Sequence, residues 1–126
     1  MKLSTTLLVV PFLLATGAAA RAACVYPQAP QALPNGAQAT KEEMLAAQGE
    51  VKEYSKTVQD TYLPCLEQEK NESLAGLDAM DPEYTQKKTA IESMHAKKHN
   101  AALDELTALA TRWSEEIKAY TAAQKK

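Results

Sequence analysis

No glycine or proline follows Pro82, so the last 44 residues of this 126-residue chain carry nothing that stops a helix. Within that run Ile91, Met94, Ala102, Leu106, Leu109, Trp113, Ile117 and Tyr120 recur at threes and fours, with Lys98 interrupting. That spacing is one apolar stripe on an amphipathic helix, and such a stripe needs a partner face. Asp81-Pro82 supplies the start, an N-cap aspartate with proline at the first helical position. The closing Lys125 and Lys126 suit a helix C-terminus. The spacing predicts a helix over 82–122.

The partner lies just upstream. Thr40 with Glu43 three residues on is a capping-box pattern, and strong helix formers follow to about Asp78. Met44, Val51, Val58 and Cys65 recur every seven residues, with Ala47 and Tyr54 between them. Folding back near Ala79 and Met80 pairs residues whose numbers sum to about 160. Leu109 then meets Val51, Leu106 meets Tyr54, Ala102 meets Val58, Met94 meets Leu66, and Trp113 falls opposite Ala47. The same register sets Lys87 near Glu72, Lys98 near Asp60, Asp104 near Lys56, Arg112 near Glu50 and Lys118 near Glu42. Each such pair is worth only tenths of a kcal/mol, so its use is to select a register. The expected fold is all-α, a long antiparallel two-helix hairpin of coiled-coil character over 40–126. Pro64 interrupts the first helix, losing one hydrogen bond and crowding the carbonyl of Asp60 at about 3 kcal/mol or more. It reads as a kink that tilts Cys65, with a hinge as the alternative, and after it the stripe moves to Leu66, Leu74 and Leu77, consistent with a bend.

Residues 1–22 read as an export signal: Lys2, an apolar run from Leu7 to Ala15, then Ala20-Arg21-Ala22 before a cleavage point. The run is shorter than the roughly 20 apolar residues that span a bilayer. Cleavage would leave 104 residues, one domain, with 12 basic and 16 acidic side chains. That balance lacks the basic footprint of a nucleic-acid binder. The sole Phe, Phe12, would be lost with the signal, leaving a thin Ala-rich core that calls for a staple. In an oxidising compartment Cys24 and Cys65 read as one disulfide closing a 42-residue loop. A lipid on Cys24 is the rival, and Arg21 stands where a lipobox wants an aliphatic residue. Residues 23–39 hold Pro27, Pro30, Pro34 and the turn signal Asn35-Gly36, and so form an extended arm. From Thr40 to Cys65 a helix climbs about 37 Å, and the arm can reach roughly 50 Å. It can therefore turn at Asn35-Gly36 and run back to the bridge, with Val25, Tyr26 and Leu33 covering apolar surface.

Chemistry-bearing residues are sparse. His95 and His99 stand one helical turn apart, a spacing that can grip zinc or copper, with Glu92 and Met94 nearby. No second cluster of His or Cys completes a site, and Lys97 and Lys98 add positive charge. The pair reads first as solvated surface histidines and second as metal ligands. No G-x-S-x-G, H-E-x-x-H, P-loop or dinucleotide turn is present, so no catalytic residue and no cofactor is expected. Asn71-Glu72-Ser73 fits a glycosylation sequon, and the tyrosines at helical spacing read as core.

The pattern C-x-x-P-x-x-P (Cys24, Pro27, Pro30), P-N-G (Pro34-Asn35-Gly36), E-E-M (Glu42 to Met44), V-x-x-Y (Val51, Tyr54) and Y-x-x-C (Tyr62, Cys65) resembles a group of small, uncharacterised secreted proteins of proteobacteria. The resemblance covers about 45 of the 104 mature residues, and Pro64 departs from a helix former there. It implies a periplasmic location and the Cys24–Cys65 bridge, and no activity. The expectation is a periplasmic or secreted non-enzymatic protein, an interaction module for a protein or envelope partner with no stable membrane anchor after cleavage. The alternative is a periplasmic metal-binding or stress-related protein using His95 and His99.

Overall fold

The computed structural model describes residues 23–125, so the expected signal segment 1–22 lies outside the described residues. Helix α1 spans Lys41–Thr57, a π-helical turn Val58–Tyr62 follows, and α2 spans Leu63–Ala75. Helix α3 spans Tyr84–Ala123 and returns antiparallel along both. The capping box starts α1 as the sequence dictates. The Glu43 amide donates to Thr40 Oγ1 at 3.2 Å, and the Thr40 amide donates to Glu43 Oε2 at 2.8 Å. The expected first helix ends three residues early, at Ala75, and the amide of its C-cap Gly76 bonds back to the Glu72 carbonyl. In the turn, Asp78 accepts from the Met80 amide and Asp81 from the Glu83 amide. Asp81, expected as the N-cap of α3, instead closes this turn: regular helix begins only at Tyr84, with Glu83 at the N-cap and no side-chain cap bond.

Proline 64 does more than bend the helix. Its ring crowds the Asp60 carbonyl and its nitrogen donates nothing. The chain answers upstream with a widened turn, in which the Leu63 amide reaches Val58, five residues back. That turn absorbs an extra residue and shifts the stripe by one position. The buried series runs Val51, Tyr54, Val58, Tyr62, Leu66, in place of a seam through Cys65. Cys65 is rotated off the seam toward the arm.

Across from this series lie Ala102 and Leu109, both fully buried, with Leu106 and Trp113 packed beside them. The upper half of α3 departs from the expected register. Met94 is 46% exposed and His95 takes its place in the seam at 3%. Lys98, three residues on from His95, bonds Glu69 at 3.2 Å, not Asp60. Lys87, expected opposite Glu72, bonds Asp81 and Glu83 in the turn before its own helix.

The arm folds back as its reach allows. Amides of Gln38 and Ala39 donate to the Asn35 carbonyl, and the Ala37 amide donates to Asn35 Oδ1. Gly36 is buried against α3, its amide donating to Glu116 Oε2 at 2.6 Å. Cys24 and Cys65 form the disulfide, Cα atoms 5.8 Å apart. Cys24, Ala29 and Leu33 pack on the core, whereas Val25, expected to cover it, is 84% exposed.

Candidate functional site

Tyr26 is the arm's polar anchor. Its ring meets the Tyr62 ring edge-on, centroids 4.9 Å apart. Its hydroxyl donates to Glu105 Oε2 at 2.7 Å and lies 2.8 Å from the Tyr54 hydroxyl. A phenol has one proton, so with Tyr26 donating to the carboxylate, buried Tyr54 must donate to Tyr26. Burial, and then the bonds to Tyr54 and Glu105, push the Tyr26 pKa well above its ordinary value. The relay ties the arm, α1 and α3 together through one side chain.

One turn beyond the bridge, Glu69 of α2 gathers a second set of contacts. Its Oε2 accepts from the Cys24 amide at 3.5 Å, and its Oε1 accepts from Lys98 Nζ at 3.2 Å. Burial pushes the carboxyl pKa up, but the bonds from Lys98 and Cys24 outweigh it and hold the group below the usual range. His95 Nε2 lies 3.9 Å from Glu69 Oε1, beyond hydrogen-bond reach. Both ring nitrogens of His95 are buried with no hydrogen-bond partner. A neutral imidazole carries one donor and one acceptor, and leaving such a group unmet costs about 1–3 kcal/mol. The solvated histidine expected at position 95 is therefore a core residue, because the seam of α3 falls one residue beyond Met94.

The two histidines share one groove. His95, Ala96, His99 and Glu92 of α3 face Leu66, Glu67 and Lys70 of α2 across a cleft of about 320 Å³. The Glu67 carboxyl is held low first by its 2.7 Å bond from Lys70, with smaller help from Asn71 and His99. Glu92 lies 3.8 Å from Lys88. Among the described residues, no three of His, Cys, Asp and Glu stand close enough together to hold a metal ion as they are placed. A separate shelf between the arm and α1 is lined by Ala29, Pro30, Ala46 and Gly49, with Glu50 and Glu53 at its edge.

Cys24 and Cys65 are brought together as the sequence required, and His95 and His99 line the same groove with different burial. Glu69, Lys98, Tyr26 and Glu105 were not singled out by sequence pattern as a set. A signal existed on α3, where 91, 95, 98, 102, 106, 109, 113, 116 and 120 keep an unbroken run of three- and four-residue steps that apolar residues alone do not show. The chain matches no protein-family model, no curated protein and no solved structure.

Proposed function

We propose that this chain is an exported, non-enzymatic protein of the bacterial envelope whose hairpin binds a protein or envelope partner. The observation that carries the reading is an asymmetry between the two sides of the helix pair. The arm covers one side, held through Glu105 and Glu116 of α3. At about 100° per residue, Leu103 and Ile117 point at least a quarter-turn away from both acids. Each is 40% exposed. Half-buried Leu106 and Trp113 lie along the same helix, so apolar surface continues inward from the two. Among the described residues, the grooves beside the helices open to solvent. No helix among the described residues is long and apolar enough to cross a membrane.

Export supports the same reading, since a disulfide persists where the surroundings are oxidising. Mass spectrometry of protein recovered from the periplasm is expected to give an N-terminus at Ala23 or within a residue or two. A diacylglycerol mass on Cys24 would overturn that processing, and with it the bridge. The partner is tested by placing a photo-crosslinking residue at Leu103, Ile117 or the exposed arm position Gln31. One discrete adduct from positions 103 and 117, absent at 31, is the expected result. Equal labelling at all three positions, or none at any, removes the uncovered side as the binding surface.

A further inference from the structure

We propose that the groove between α2 and α3 is a site for one divalent transition-metal ion of the zinc and copper class, held by His95 and His99 and closed by the Glu67 carboxylate. Four residues of ligand type line or border this one groove, three from α3 and one from α2. On α3, Glu92, His95 and His99 are spaced three and four apart, so they rise along one face of the helix. Imidazole nitrogen with carboxylate oxygen is the donor set such ions favour.

The second observation is independent of spacing. His95 is 3% exposed and neither ring nitrogen has a hydrogen-bond partner. Buried polar groups are almost always satisfied, and a ligand bound at the groove would satisfy this one. The ring must turn about its side-chain bonds to present a nitrogen to the cleft, since both nitrogens are covered as placed. Ligation would satisfy one ring nitrogen, and the other, as an N–H, would still have Glu69 Oε1 as its nearest carboxylate oxygen, now 3.9 Å from Nε2.

The carboxylates are available at small cost. Glu67 is engaged by Lys70 on its own helix, three residues along, and Glu92 by Lys88, four residues back. Exposed pairs of this kind are worth about 0.2–1 kcal/mol. A divalent ion outcompetes a lysine for the same oxygen, and swinging Glu67 off Lys70 brings the third ligand from the opposite wall. The fourth position is left to Glu92 or water. Binding would thus join α2 to α3 beside the bridge, at the end of the seam where His95 replaces an aliphatic residue.

The test is calorimetric titration of zinc chloride into the full disulfide-bonded chain at neutral pH, with imidazole resonances followed by NMR. One ion per chain is expected, with the ring signals of His95 and His99 shifting together. His99→Gln is the decisive variant because His99 is exposed and its loss leaves the seam intact. Affinity should fall at least ten-fold in His99→Gln and in His95→Gln, and several-fold in Glu67→Gln. Far-UV circular dichroism on each variant separates lost ligation from lost fold. No saturable binding, an affinity unchanged by His99→Gln, or a shift confined to the His99 ring would each overturn the assignment.

Discussion

Reducing the Cys24–Cys65 bridge should lower the melting temperature by roughly 15–30 °C while leaving the helical signal at room temperature nearly unchanged. The two halves of that expectation have separate causes. Helical content rests on the seam from Val51 to Leu109, whose buried residues belong to the helices and not to the bridge. Stability rests partly on the unfolded chain, which regains loop entropy when cysteines 41 residues apart are released. In the chain-entropy account that is about 4 kcal/mol, against a total of about 5–15 kcal/mol for an ordinary domain. In the folded protein the arm does not float free on reduction, because the Tyr26 hydroxyl relay and the ring contact with Tyr62 remain. Thermal melting by far-UV circular dichroism, with and without reductant and in Cys65→Ser, reads both effects. A melting temperature indifferent to reductant and to the serine variant would show that the bridge contributes nothing.

What could be read in the sequence and what could not divides along a physical line. Local signals transferred best: the Thr40–Glu43 capping box and the Asn35 turn each involve residues a few positions apart, whereas Asp81 closes the turn before α3 and Glu83 takes the cap position. The hairpin was legible because two long stripes had only each other to bury against. The register was not, because it depends on where the period breaks. Proline 64 and the move of the stripe to Leu66 after it were visible, but the device was not: the sequence reads as a bend, and the structure makes a widened turn at Val58–Tyr62. Counting apolar residues alone also chose Met94 over His95. An aliphatic neighbour is the natural pick until the whole three-four step of α3 is followed through its polar members. The candidate site suffers most from this, since Glu69 and Lys98 meet across the seam and nothing local links 69 to 98 or to the amide of Cys24.

Gly36→Ala and Gly49→Ala should move stability in opposite directions, and the contrast tests whether the arm sits on α3 as described. A Cβ at Gly36 would overlap the carbonyl oxygen of Glu116, and lie 2.8 Å from its carbon and 3.0 Å from the Tyr120 nitrogen. These atoms belong to the backbone of a helix and cannot rotate aside. The constraint is space, not backbone angle, since no glycine among the described residues has positive φ. Alanine must therefore lift the turn off the helix, losing the bond from the Gly36 amide to the Glu116 carboxylate. Overpacking and loss of a charge-assisted bond together cost about 2–4 kcal/mol. Gly49 lies within α1, and a Cβ there meets nothing within 4 Å. Alanine at that position should add about 0.5–1 kcal/mol from helix propensity alone. Urea unfolding of both variants gives the two free energies, and amide exchange over 24–39 shows whether the arm has loosened in Gly36→Ala. Should that variant unfold at the native midpoint with the arm still protected, Gly36 is not pressed on α3. The arm's path between its turn and the disulfide would then have to be redrawn.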